Sequence, residues 1–185
     1  MAANTWIGSC YVNSSGAWVP DHLRVSAGWV QSGSRWWYRH QDGSYTTNGW
    51  EYINGQWYYF DQSGWMVTGW LKLGNTWYYL TGSGAMATGW FYDGGSWYWL
   101  ADGGDGRMAT GWQQIGGSRY WLSDSGAMAT GWCQIDGVYY FFNGSGAMEH
   151  DCWVGDYYLT SSGAMATDTW VGGYHVGADG KWDNR

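Results

Sequence analysis

Over 185 residues the chain carries 19 Trp, 16 Tyr and 32 Gly but a single Pro, and its formal net charge is −7 with only 12% of residues charged. No basic patch exists to neutralise phosphates, which argues against nucleic acid as a partner, while a modest negative field favours cations. No apolar run approaches the roughly 18 residues of a membrane-spanning helix, so no membrane insertion is expected.

Gly and aromatic residues form helices poorly, and no long apolar pattern of helical period occurs. The expected core is aromatic, with Gly supplying the turns. The start, MAANTWIGSC, lacks a basic and an apolar region of signal type, so an exported protein would carry its signal on a longer parent chain or leave by another route. Cys10, Cys133 and Cys152 are an odd count without a CxxC. Cys133 and Cys152 sit beside successive repeat Trp residues, so a bridge is conceivable; the plainer expectation is three small buried thiols.

Taken in chain order, residues 1–27 open with a short unit, Trp6 to Val12, and continue through Trp18 to Ala27, WVPDHLRVSA, which holds the Pro and reads as a connection. Residues 28–148 are six regular repeats. A Gly-Trp pair recurs at Trp29, Trp50, Trp70, Trp90, Trp112 and Trp132, with spacings of 21, 20, 20, 22 and 20. Seven residues on stands a second aromatic: Trp36, Trp57, Trp77, Trp97, then Arg119, where the series breaks, and Tyr139. A Gly follows each block, and two residues later comes Tyr45, Met66, Met86, Met108, Met128 or Met148. The extra residues of the 22-residue repeat fall in Ala101 to Gly106, turn composition where insertion is tolerated. Residues 149–185 hold shortened units at Trp153 and Trp170, which resemble the first unit and suit the ends of a repeat array.

Each unit predicts a β-hairpin: a short strand after the Gly-Trp, a turn such as Asn54-Gly55 or Asp136-Gly137, and a W-Y-Y-L second strand. Alternation puts Trp77 and Tyr79 on one face and Tyr78 and Leu80 on the other. Both faces are apolar and need cover, which stacked neighbours provide. The fold class expected is all-β, a solenoid of stacked β-hairpins with about 20 residues per repeat.

The pattern from Gly-Trp through W-Y-Y and Gly-x-Met to Thr-Gly-Trp resembles the choline-binding, or cell-wall-binding, repeat of Gram-positive surface proteins and phage lysins. The likeness covers roughly residues 28–148 well and both ends loosely. It implies a left-handed superhelix with ligand sites between consecutive hairpins. Each site would combine the Gly-Trp Trp and the second Trp of one hairpin with a Tyr of the next. The boxes so implied are Trp29, Trp36 and Tyr58; Trp50, Trp57 and Tyr78; Trp70, Trp77 and Tyr98; and Trp90, Trp97 and Tyr120. Met66, Met86, Met108 and Met128 would stand beside them. Arg119 removes a wall and adds a repelling cation, so the Trp112 site is expected to be dead for choline. Trp132 with Tyr139 is expected to be weakened, and the terminal units lack the second Trp. Aromatic residues at a fixed period are also core residues, and here a box is itself a packing contact.

The function implied is a non-catalytic module on the bacterial cell surface that binds choline-bearing or related wall polymers, with no cofactor and with homodimerisation left open. Two alternatives stand: a carbohydrate-binding repeat domain for glucan or host glycan, and the targeting half of a peptidoglycan hydrolase whose catalytic domain lies elsewhere. No catalytic motif stands out. The four His are scattered, His150-Asp151-Cys152 has no oxyanion-hole motif, and Asp102 with Asp105 lacks calcium-loop spacing.

Overall fold

The protein, seen as a computed structural model, is described over residues 5–7, 10–19 and 26–183. The segment 20–25, most of the expected connection, and Gly8-Ser9 of the first unit lie outside the described residues. By internal contacts the chain divides into two compact units, Met1–Thr68 with Gly82–Ala85, and Gly69–Thr81 with Met86–Arg185.

The first unit opens with a three-stranded antiparallel sheet of β1 (Thr5–Ile7), β2 (Cys10–Val12) and β3 (Trp18–Val19). Trp18 and Val19, expected to be connection, thus extend the first short hairpin. Two hairpins follow, β4 (Gly28–Ser32) with β5 (Arg35–Arg39), and β6 (Gly49–Ile53) with β7 (Gln56–Phe60).

The second unit contains four full hairpins. These are β8 (Gly69–Leu73) with β9 (Thr76–Leu80), β10 (Gly89–Asp93) with β11 (Ser96–Leu100), β12 (Gly111–Ile115) with β13 (Ser118–Leu122), and β14 (Gly131–Ile135) with β15 (Val138–Phe142). A shortened hairpin, β16 (Cys152–Val154) with β17 (Tyr157–Leu159), comes next. A second three-stranded sheet, β18 (Thr169–Val171), β19 (Tyr174–Val176) and β20 (Trp182–Asp183), ends the described chain. No helix forms among the described residues, as the composition predicts.

Turn chemistry explains the hairpins. At Asn54-Gly55 both residues have positive φ, 49° and 88°, and Asp136-Gly137 has 50° and 83°. Two left-handed residues make the tight turn whose twist matches paired strands, and Asn, Asp and Gly tolerate it best. The Gly before the repeat Trp has a related role. Gly69, Gly89, Gly111 and Gly131 are left-handed, with φ between 71° and 81°. Where that Gly is missing, Asp151 (φ 51°) and Asp168 (φ 46°), each two residues before the Trp, take the left-handed turn instead. The shortened repeats can therefore dispense with Gly-Trp and still enter a strand.

Register then sorts the side chains. Trp70 pairs with Tyr79 and Lys72 with Trp77, so these four share a face; Gly69 opposes Leu80 and Leu71 opposes Tyr78 on the other. The residue closing the second strand is the core position in the hairpins from β6–β7 onward. Phe60 is fully buried in the first unit, as are Leu80, Leu100, Leu122, Phe142, Leu159 and Val176 in the second. Each contributes about 1.5–3 kcal/mol by leaving water.

Hairpins are joined by the segment after each Gly turn. The N–H of Met108 donates to the carbonyl of Trp77 at 2.8 Å, and that of Met128 to the carbonyl of Trp97 at 2.8 Å. Within the same segment Met108 bridges Leu100 and Met128 bridges Leu122. The methionine side chain lies where the next turn has its glycine: a Cβ on Gly106 (φ 64°) would overlap the thioether of Met86, and one on Gly126 that of Met108. Glycine is thus required there for two independent reasons, backbone conformation and space.

None of the three thiols is fully buried, contrary to the plainer expectation. Cys10 is exposed, while Cys133 and Cys152 are half-buried, and all three are free. No bridge joins Cys133 to Cys152.

Candidate functional site

The repeat Trp of one hairpin meets the first Tyr of the next hairpin's aromatic block. In the first unit Trp29 and Tyr58 have ring centroids 4.7 Å apart at 62°. In the second unit Trp70 meets Tyr98 at 5.0 Å and 67°, and Trp90 meets Tyr120 at 4.9 Å and 62°. The same edge-to-face contact continues in Trp112 with Tyr140 at 4.9 Å and Trp132 with Tyr157 at 5.1 Å. Edge-to-face packing leaves ring faces free for another group, and such pairs add about 0.5–1.5 kcal/mol beyond area burial.

In the Trp70 box the second Trp stands at right angles to the first: Trp70 and Trp77 lie 6.3 Å apart at 89°. These second aromatics keep open faces, with Trp36 and Trp77 36% exposed and Trp97 44% exposed. Met66, Met108 and Met128 close the arrangement through backbone bonds to the carbonyls of Trp36, Trp77 and Trp97, at 2.7, 2.8 and 2.8 Å. The result at Trp90 is a cavity of about 340 Å³ lined by Trp90, Trp97, Met128, Gly144 and Ser145. That volume lies near the lower end of ligand pockets, about 300–1,000 Å³. Three of the four sequence-expected boxes are brought together in this way. For the remaining one, Trp50 and Trp57 belong to the first unit, Tyr78 and Met86 to the second. Each holds the corresponding place in its own hairpin, Trp50 opposite Tyr59, Tyr52 opposite Trp57 and Leu71 opposite Tyr78.

The Trp70 box has a polar neighbour of its own. The Trp70 indole N–H donates to the Asp93 carboxylate at 3.0 Å. The Lys72 ammonium lies 5.4 Å from the ring of Trp77, the second wall of the same box.

Three further junctions differ from what spacing suggested. At Trp112 the wall is absent, as expected, but Arg119 does more than repel. Its guanidinium carbon sits 4.4 Å from the Trp112 ring centroid, and its carbonyl accepts the Met148 N–H at 2.8 Å. The chain's own cation rests on the ring that a ligand cation would need. Around it Ile135, Phe142 and Met148 form a buried cluster against Trp112 and Tyr140.

At Trp132 the Trp-to-Tyr change costs no space: Trp132, Tyr139, Tyr157, Met165 and Asp179 line a cavity of about 330 Å³. The last junction was not foreseen as a box. Trp153, Gly155, Asp156, Tyr174 and Trp182 line a cavity of about 370 Å³. Its sequence signal was Trp182, which follows Gly180 by two residues as each Met follows its Gly.

The His150-Asp151-Cys152 run, among the described residues, lacks the geometry of a nucleophilic catalyst. His150 Nδ1 and Asp151 Oδ2 are 2.9 Å apart, with both side chains more than half exposed. Burial, and then the nearby Glu149 and Asp151 carboxylates, push the Cys152 thiol up, which disfavours the thiolate a nucleophile needs. Asp105 is held by the Arg107 guanidinium at 2.7 Å rather than sharing a cation with Asp102. Among the described residues no three His, Cys, Asp or Glu group as a metal site.

Comparison with known families matches choline-binding repeat models at residues 47–88 and 109–153, and at 147–182, with a putative cell wall binding repeat at 88–108. Comparison with curated proteins gave no match. Among solved structures, the choline-binding domain of CbpL from Streptococcus pneumoniae is 33% identical, over 87% of this chain and 99% of that one, with a TM-score of 0.58. CbpJ from Streptococcus pneumoniae TIGR4 is 40% identical, with a TM-score of 0.78 over 94% of this chain. Choline-binding protein F from Streptococcus pneumoniae, in the presence of a peptidoglycan analogue, is 36% identical, with a TM-score of 0.80 over 95%. The chain spans 61% of the length of each of these last two.

Proposed function

The chain belongs to the choline-binding repeat family, and from that premise we propose that it is a non-catalytic module that anchors to a bacterial cell wall through choline groups on wall polymers. The observation that carries this reading is the repeated junction: a Trp–Tyr pair near 5 Å, a second Trp with an open face, a Met, and a cavity of about 340 Å³ at Trp90.

The chemistry follows from the ligand. A quaternary ammonium donates no ordinary hydrogen bond, so ring faces and a polarisable thioether are what recognise it. At about 0.5–2 kcal/mol per ring, three rings give a few kcal/mol, near the millimolar level of about −4 kcal/mol. Weak sites repeated along one chain gain through avidity on a polymer that repeats its ligand. The working boxes are Trp29, Trp36, Tyr58 and Met66 in the first unit, and Trp70, Trp77, Tyr98 and Met108 with Trp90, Trp97, Tyr120 and Met128 in the second. Trp132 with Tyr139 and Tyr157 adds a variant box, and Arg119 closes the one between. The six repeats of residues 28–148 form the binding array, flanked by shortened repeats at each end. The place of action is the cell surface. A catalytic domain on a longer parent chain would make this the targeting half of a wall hydrolase.

One observation favours a second ligand class. Tyr52 lies against Trp57 and Tyr92 against Trp97, each at 5.2 Å and tilted by 55° and 53°, and the two Tyr are 60% and 56% exposed. Such faces suit sugar rings as well as cations. Titration with choline while following Trp fluorescence separates the readings. Choline binding gives a saturable response by concentrations on the order of tens of millimolar, set by the millimolar single-site estimate. Silence in that range, with retention on dextran that choline does not reverse, would replace choline by a glycan.

A further inference from the structure

One backbone position decides the character of each junction. It is the carbonyl that accepts the N–H of the Met-slot residue. Along the described junctions that position holds Trp36, Trp77, Trp97, Arg119 and Tyr139, and its partners are Met66, Met108, Met128, Met148 and Met165. The same bond recurs once more: the Trp182 N–H donates to the Asp156 carbonyl at 2.7 Å. Asp156 therefore stands where the other boxes have their second aromatic wall, and Trp182 stands where they have methionine.

The exchange leaves the count of aromatic rings intact. Trp153 and Tyr174 are 6.1 Å apart at 83°, and Tyr174 and Trp182 are 5.9 Å apart at 83°. All three rings are open to solvent, at 38%, 54% and 44% exposure, around the cavity of about 370 Å³. Asp156 is exposed and lines that cavity together with Gly155.

We infer that this last junction is a separate site, selective for a primary ammonium over a quaternary one. Rings alone cannot tell the two apart strongly, because both offer a positive charge to the π faces. A carboxylate can. It accepts hydrogen bonds from N–H groups, and charge-assisted bonds are the stronger kind, whereas a trimethylammonium has no N–H to give. The acid that replaces the second wall thus converts a quaternary-ammonium box into a site for an alkylammonium such as that of ethanolamine or a lysine side chain. This site does not depend on choline occupying the other boxes.

The test uses the full chain, with indole N–H signals followed by NMR during separate titrations with ethanolamine and with choline. Trp182→Phe identifies the Trp182 signal. The expected result is that ethanolamine moves the Trp182 signal at a concentration at least fivefold lower than choline does. Asp156→Asn should remove that preference. Asn suits the same hairpin turn, and an unchanged melting temperature of Asp156→Asn would show that the fold is kept. The inference is overturned if choline is bound at Trp182 as tightly as ethanolamine, if Asp156→Asn leaves the ethanolamine affinity unchanged, or if neither amine moves the signal. Choline responses of the Trp90 box report on the wall-anchoring function independently, so the two readings fail separately.

Discussion

Replacing Arg119 by Trp should open the junction that the chain now closes on itself. In the native protein the guanidinium lies 4.4 Å from the Trp112 centroid, while Trp112 and Tyr140 already hold the 4.9 Å pairing found in the other boxes. Met148 is also in place through its bond to the residue 119 carbonyl. Arg119→Trp removes the occupant and supplies the missing ring. One ring is worth about 0.5–2 kcal/mol toward a cation, a two- to thirty-fold tighter site by that contribution alone. Removing the guanidinium forfeits a cation–π contact of about 0.5–1 kcal/mol at an exposed site. The variant should therefore melt at a slightly lower temperature without ligand and gain more from choline than the native chain. Ligand at one hundred times Kd adds about 2.7 kcal/mol per site. Calorimetric titration should count one additional choline. An unchanged stoichiometry, with unchanged ligand-free stability, would show that Arg119 neither occupies nor blocks a box.

The remaining predictions address walls, turns and thiols. Trp97→Ala removes a half-exposed wall; it should lose one choline per chain while costing no more than about 1–2 kcal/mol of ligand-free stability, because only part of the ring is buried, as read by calorimetry and thermal melting. Gly106→Ala should cost about 2–4 kcal/mol in denaturant unfolding, from a left-handed φ of 64° and overlap with Met86; adding Met86→Ala should relieve the overlap and give a less than additive loss. Cys152 should alkylate more slowly than a free thiol at neutral pH, with a rate that keeps rising above the usual thiol pKa, because burial and the Glu149 and Asp151 carboxylates raise its own. A rate levelling at the ordinary thiol range would refute that assignment.

The hairpins were readable because local signals agreed. Left-handed turn residues, alternation and a period near 20 residues all pointed to the same unit, and the strands formed at those places. The choice of the first Tyr in each block also matches the ring contacts at Trp29, Trp70 and Trp90. What spacing could not convey was direction in space. Arg119 reads in sequence as a missing wall with a repelling charge, yet its long side chain folds over Trp112 and becomes the cation. Tyr139 reads as a weakened wall, but the cavity it lines matches the volume of the Trp90 box. The last junction was hidden because its elements are permuted: Trp182 takes the methionine slot and Asp156 the second-wall position, which only backbone pairing reveals. The Gly-Trp pattern likewise obscured that Asp151 and Asp168 do the same conformational work two residues before the Trp.

A crystal structure of the chain soaked with choline tests the central claim most directly. The account predicts a trimethylammonium group among Trp29, Trp36 and Tyr58, among Trp70, Trp77 and Tyr98, and among Trp90, Trp97 and Tyr120, with the Trp112 junction still holding Arg119. Empty boxes at saturating choline, or ligand bound only on Tyr52 and Tyr92, would contradict it.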